Sequence, residues 1–339
     1  MGVIGRPTTF FVTGATGFIG GKLVGELTRR GHAVRALVRP TSSREGLEGK
    51  RITTVEGDVR DQSSLLRGME GCSAVFHLAA YAKNWARDPK TFFELNVEGT
   101  RNVLGAARSA GVGRVVLTST MVTFGPTPPG VVGGESMPRT TARYFTEYEE
   151  SKTVAERGAL DAACQGVPVV VVNPTRVYGP GKLTEANSVT VMIDLYDRGR
   201  FPVVLAGGIN VGNYAFVDDL VLGHILAMER GRVGERYILG GENVSLRQLF
   251  DLVDEATRRR HFRFNLPARL AMAYGRMEKK KAEWFGLYPR ITPGWVETFL
   301  QDWAYSSAKA EHELGYTITP LKEGIALTCE WLHSRGVRG

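Results

Sequence analysis

Tyr148 and Lys152 stand four residues apart in "EYEESKTVAE", a spacing that puts both side chains on one face of a helix. A free phenol, with a pKa of about 10, is a poor base at neutral pH. A lysine ammonium beside it stabilises the phenolate and lowers that value. The pair could then take a proton from a hydroxyl or return one to it. Spacing alone does not establish the pair. With 11 tyrosines and 11 lysines in 339 residues, chance supplies roughly 0.4 such pairs, and "YSSAK" repeats the spacing at Tyr305 and Lys309. Order along the chain must separate the two.

The strongest local signal is "FFVTGATGFIGGKLVGELTRRG". A strand ends at Val12, glycines follow at Gly14, Gly17 and Gly20, and a helix is expected from about Phe18 to Arg30. Gly14 permits the tight turn, Gly17 lets a pyrophosphate approach the backbone, and Gly20 lets the helix pack closely on the strand. The helix N-terminus offers free N–H groups and partial positive charge to phosphates. A dinucleotide is the expected ligand, held through Gly14, Thr16, Gly17, Phe18, Ile19 and Gly20. An acidic residue about 20 positions past the glycines would bind the 2′-hydroxyl of NAD. Arg39 stands there instead, in "LVRPTSSR", and can bind a 2′-phosphate with help from Thr41, Ser42 and Arg44. NADP(H) is therefore favoured, with NAD(H) also compatible. Asp58, in "GDVRD", ends the third strand and could accept from the adenine amino group.

The elements that position these groups follow from pattern. The runs "TFFVTG", "AVRALVR", "ITTVEGD", "AVFHLAA", "RVVLTST" and "VPVVVVNPT" are β-branched and apolar, with helix-like text between most of them. That is the βαβ signature of a parallel sheet covered on both faces. The fold class is α/β, a Rossmann-type doubly wound parallel sheet with a smaller, mostly helical C-terminal substrate lobe. Residues 8–180 with about 213–240 form the cofactor domain; 181–212 with about 241–335 form the second lobe. Residues 182–212 read as irregular. "TST" places Thr118, Ser119 and Thr120 at the carboxyl end of the fifth strand, where open α/β sheets bind ligands. Asp218 and Asp219 open a helix and read as capping and structural groups, and His77 as a hydrogen-bonded core histidine.

Composition narrows the class. Hydrophobic content of 43% and charged content of 23% suit a soluble globular protein with a sizeable core. No apolar run approaches the roughly 20 residues a membrane helix needs, so no integral membrane segment is expected. "MGVIGRPTTFFV" leaves no room for a signal peptide before the first strand. Cys72, Cys164 and Cys329 lack zinc spacing and suggest reduced thiols in the cytoplasm; no metal site is expected. The net charge of +8 includes basic clusters at "RRRHFR" and "EKKK". No recognition motif accompanies either, so they read as solvated helix ends, and no nucleic-acid partner is expected.

With these residues in place, the chain resembles the extended short-chain dehydrogenases/reductases of the epimerase/dehydratase superfamily, over nearly its full length. "TGATGFIG", "GDVRD", "HLAA", "NVEGTRNVL", "LTST", "YEESK", "NPTRVYGPG" and "FVDDL" resemble that family's motifs in order. "VRALVRPTS" and the YxxSK form resemble the branch of dihydroflavonol reductases and 3β-hydroxysteroid dehydrogenases. "TEYEESKTVAE" and "GPGKLTEAN" are similar to plant farnesol dehydrogenase-like proteins, and bacterial hopanoid-associated sugar epimerase-like proteins share much of the same text. The resemblance implies a catalytic set of Tyr148, Lys152 and Thr120, with Ser119 as neighbour. It implies that Asn96 holds a helix kink near Lys152, and that Lys152 meets the nicotinamide ribose. It also assigns Val59, Ala79, Ala80, Pro174 and Val177 to the cofactor, and it leaves room for a homodimer.

Hydride transfer is the cofactor's chemistry, and the protein supplies orientation and a proton path. The expected substrate wall is Tyr81, Trp85, Phe124, Tyr144, Tyr178 and Asn187, mostly aromatic. A lipophilic alcohol or ketone (terpenoid, steroid or flavonoid-like) fits such a wall. The alternatives are a nucleotide-sugar epimerase or dehydratase with tightly held NAD, and a cofactor-binding scaffold without catalysis.

Overall fold

A computed structural model describes residues 8–336; residues 1–7, on which the reading of no signal peptide partly rests, lie outside the described residues. Seven strands form one parallel sheet: β1 (Thr9–Thr13), β2 (Ala33–Val38), β3 (Ile52–Glu56), β4 (Ala74–His77), β5 (Arg114–Thr118), β6 (Val169–Pro174) and Arg236–Leu239. The last strand follows β7 (Arg176–Tyr178), β8 (Val203–Leu205) and β9 (Val211–Phe216) in the chain and is β10. The spatial order is β10-β6-β5-β4-β1-β2-β3, so direction reverses between β1 and β4. That switch point opens the crevice in which doubly wound sheets bind ligands.

Side chains alternate across the sheet. Phe10, Val12, Val116, Val170 and Val172 face one core layer, under helices Phe18–Arg29 and Val217–Arg230. Phe11, Val75, Val115, Leu117, Val169 and Val171 face the other, under Gln62–Met69, Gly99–Ser109 and Glu147–Cys164. β6 is buried along its whole length. Each of its valines contributes about 1.5–3 kcal/mol relative to exposure, which keeps this strand central.

The remaining strands leave the main sheet. β11 (Glu242–Ser245) pairs with β9, which also pairs with β7, while β12 (Phe264–Leu266) pairs with β8. A separate apolar cluster joins Ile193, Tyr196, Phe250 and Ile325 from helices Ser188–Asp197, Leu246–Thr257 and Leu321–Gly336. The expectation that 182–212 is irregular is thereby corrected. Val189, Ile193 and Tyr196 recur at helical spacing and pack on the Leu246–Thr257 helix, which stabilises a helix that local propensity disfavours.

Candidate active site

One cavity of about 640 Å³ crosses the carboxyl ends of the main strands. Its floor is the glycine loop. The Phe18–Arg29 helix starts at Gly17 with no side-chain cap, so its first-turn N–H groups have no partner of that kind. A Cβ at Gly20 would lie 2.1 Å from the Gly14 carbonyl oxygen, and one at Gly14 would lie 2.6 Å from the Leu78 carbonyl carbon. Only glycine permits this close approach of helix, loop and β4. Thr16, Gly17, Phe18, Ile19 and Gly20 line the floor, with Arg39 and Ser42 at one side and Asp58 and Val59 beside them. Asp58 is held below its ordinary range chiefly by Arg60, whose guanidinium donates to it at 3.0 Å. An open helix N-terminus, a backbone cradle and an arginine at the ribose end fit a dinucleotide.

Ala79 and Ala80 continue the wall, and their position is fixed by a buried network. His77 Nδ1 lies 2.7 Å from the Thr13 hydroxyl and Nε2 lies 3.1 Å from that of Thr100, while the Ala79 N–H donates to Thr13. Burial first, and then the nearby Lys152 charge, push His77 down to about 3, so it is neutral. His77 is thus a structural histidine.

Tyr148 and Lys152 lie on the Glu147–Cys164 helix. Thr146 caps that helix by accepting from the Glu149 N–H at 3.1 Å, and three glutamates in the first turn suit the helix dipole. Lys152 is buried and donates to the Thr118 carbonyl at 2.9 Å. Burial lowers it to about 8, partly offset by Glu156. Loss of water around the phenol pushes Tyr148 up to about 12, against a hydrogen bond with Thr120 that pulls it down. Thr120 lies at the start of the 3₁₀ turn Met121–Phe124 and also lines the cavity. The buried Ser119 hydroxyl lines it too and has no hydrogen-bond partner among the described residues. The site thus presents a phenol, a hydroxyl pair and an ammonium around one space, able to exchange a proton with a substrate oxygen.

Asn96 sits in a five-residue π-helical segment, Glu94–Glu98. Its Oδ1 accepts from the Tyr81 N–H at 2.7 Å and its Nδ2 donates to Ser151 at 3.0 Å. It therefore ties the chain after β4 to the tyrosine helix. Such π-bulges recur at functional sites.

A family model for the NAD dependent epimerase/dehydratase family matches residues 10–240. The chain belongs to that family. It is an NAD(P)-dependent oxidoreductase of the extended short-chain dehydrogenase/reductase type, acting on CH–OH. It is 34% identical over 98% of its length to a putative dihydroflavonol 4-reductase from Synechocystis, matching 97% of that protein. It is 31% identical over 97% of its length to sterol demethylase protein B from Methylococcus capsulatus, matching 99% of that protein. The Thermus thermophilus UDP-glucose 4-epimerase complexed with NAD superposes with a TM-score of 0.77, at 26% identity over 96% of this chain and 99% of that one.

Within this epimerase/dehydratase chain, the residues expected to bind cofactor line the cavity, including Pro174 at the end of β6 and Val177 on β7, except two of the helpers named for Arg39: Thr41 and Arg44 lie outside it, and Arg44 pairs with Glu56 at 3.2 Å. The expected substrate wall is only partly gathered there. Tyr81 lines the cavity. Trp85 instead meets the Tyr288 ring at 6.0 Å, and Tyr144 lies under the Arg139 guanidinium at 4.5 Å. Three assignments are corrected. Tyr178 is fully buried against Phe216, because on β7 it points opposite to Val177. Phe124 is buried beside Tyr305, since its 3₁₀ turn aims Met121 and Val122 at the cavity instead. Asn187 is buried, and its amide donates to the carbonyls of Gly179 and Lys182 at 3.3 Å each. Trp295, Thr298 and Phe299, on helix Pro293–Phe299, supply wall that the sequence reading missed; "PGWVETF" carries no chemical motif. Tyr305 and Lys309 do not form a second pair. Tyr305 donates to the Gly125 carbonyl, and Lys309 meets Glu235 at 2.6 Å. Asp219 accepts from the Thr319 N–H and hydroxyl, and Asp218 pairs with Lys22, so neither belongs to the site.

Proposed function

We propose that this enzyme interconverts a lipophilic alcohol and its carbonyl, using NADP(H) in preference to NAD(H). The observation that carries the reading is the juxtaposition of Tyr148, Thr120 and Lys152 midway along a cavity with two unlike ends. One end is the glycine cradle with Arg39; the other is Tyr81, Val189, Trp295 and Phe299. The bound cofactor supplies or accepts the hydride. Thr120 and Ser119 orient the substrate oxygen, and Tyr148 moves its proton. Lys152 carries positive charge at the buried end of the path, and Asn96 keeps the tyrosine helix in register. Residues 8–180 with 213–240 hold the cofactor, and the remaining lobe shapes the alcohol site. The named relatives on flavonoid and sterol chemistry support the substrate class.

A spectrophotometric screen of terpenoid, steroid and flavonoid-like alcohols with both cofactors tests this. Turnover is expected with a lower KM for NADP(H); equal or better use of NAD(H) would remove the role given to Arg39. Tyr148→Phe is expected to lower kcat by about 10²–10⁴ with unchanged melting. Full oxidoreductase activity in that variant would refute the mechanism. One observation favours a second reading: Arg176 lines the same cavity and could meet a sugar-nucleotide diphosphate. That reading requires NAD retained through purification and turnover without net change in reduced-cofactor absorbance.

A further inference from the structure

The helix Ala268–Phe285 has two unlike long faces. Ala271, Gly275, Glu278 and Ala282 are buried at spacings of four, three and four. One position back along each step run Leu270, Tyr274, Met277, Lys281, and then Trp284, all exposed; Trp284 is 75% exposed and Leu270 58%. Phe285, 71% exposed at the last position of the helix, and Leu287 beyond it extend the apolar line. Alongside it stand Arg269, Arg276 and Lys280, and the one exposed acid of the helix is Glu283. Glu278 is buried, where it accepts from the Arg290 N–H and sits 3.7 Å from Lys281.

We propose that this face docks the enzyme on a bilayer containing anionic phospholipid. An apolar stripe with tryptophan and phenylalanine, edged by lysine and arginine, lies stably in the plane of a headgroup layer. Long basic side chains let their stems rest on lipid while the charges reach phosphate. The same charges disfavour a second copy as the occupant, because a two-fold axis through the stripe would bring Lys280 and Lys281 against their own kind. The basic run "EKKK" is therefore more than a solvated helix end.

The face borders the active site. At Gly275 the helix packs on the backbone of the next one, where an added Cβ would lie 3.2 Å from the Pro293 nitrogen. That next helix supplies Trp295 and Phe299 to the cavity wall. Tyr288 donates to Glu185 and accepts from the Asn84 N–H, and both residues line the cavity. A lipophilic alcohol could pass from the bilayer to this rim. Docking itself does not depend on which alcohol is used, so it stands or falls separately from the proposed substrate.

The full chain is sedimented with vesicles of phosphatidylcholine carrying about 30% phosphatidylserine, and with phosphatidylcholine alone. Binding to the anionic vesicles is expected, weakening at about 0.5 M salt. Trp284→Ser with Phe285→Ser, and separately Arg276→Glu with Lys280→Glu, should each reduce partition about tenfold or more. Melting and turnover of a short water-soluble alcohol should stay unchanged in both variants. The inference is overturned by absence of partition, by partition that both variants retain, or by a concentration-dependent dimer that Trp284→Ser abolishes.

Discussion

Tyr148 and Lys152 are perturbed in opposite directions by one cause. Burial favours the neutral form of each, so the phenol rises to about 12 and the ammonium falls to about 8. The lowering of the phenol expected from Lys152 one helical turn away is thereby corrected: loss of water around the ring outweighs it. The lysine gives a measurable sign. Its folded value lies below its ordinary 10.5, so between pH 8 and about 10 the unfolded chain holds more of this proton than the folded one. Stability contributed by this group must therefore rise with pH across that window, by about 2 kcal/mol. Urea midpoints of the cofactor-free enzyme and of Lys152→Met, taken at pH 8, 9 and 10, should diverge accordingly. Parallel curves would mean that Lys152 is solvated. That Tyr148 and Lys152 share one helix and line one cavity was legible in the sequence, because order along the chain separated Tyr148 from Tyr305. The aromatic wall was less so. Trp295 and Phe299 reach the cavity from about 150 residues beyond Tyr148, in text with no motif, and Tyr178 was misassigned because strand alternation decides its side.

Two histidines stitch strand ends to covering helices. His77 links β1 and β4 to the Gly99–Ser109 helix, and His224 links β5 to its own helix. His224 Nδ1 donates to the Leu220 carbonyl at 2.6 Å, leaving Nε2 to accept from the Thr118 hydroxyl at 2.9 Å. Burial pushes His224 down to about 4, slightly opposed by that backbone bond, and His77 to about 3. Both values lie below 6.5, so as pH falls through 6.5 the unfolded chain takes up protons that the folded one refuses. Stability is lost on acidification, at up to about 1.4 kcal/mol per pH unit for each histidine. Denaturant midpoints between pH 6.5 and 4.5 should fall less steeply for His224→Gln, by about 1 kcal/mol per unit. An unaltered slope would exclude His224 as a contributor. The first six strands were legible as β-branched runs. The place of β10 at the sheet edge was not, because four residues, "RYIL", carry no record of a long-range partner. The Ser188–Asp197 helix was missed for the opposite reason: its valines, threonine and isoleucine argue locally against a helix, and packing overrules them.

At the scale of the molecule, the sheet order fixes where chemistry occurs, and the second lobe closes the crevice above the switch point. The glycine loop and the Trp295 helix are nearly 280 residues apart in sequence yet bound one cavity. No helix among the described residues is long and apolar enough to cross a membrane. The common cavity has one more implication. Two ligands that share its walls are thermodynamically linked, and the linkage is reciprocal. The factor by which bound dinucleotide alters the dissociation constant of the alcohol must equal the factor by which the alcohol alters that of the dinucleotide. Any change that a compound at the aromatic end makes in how tightly the enzyme keeps its nucleotide must therefore be returned, by the same factor, in that compound's own affinity.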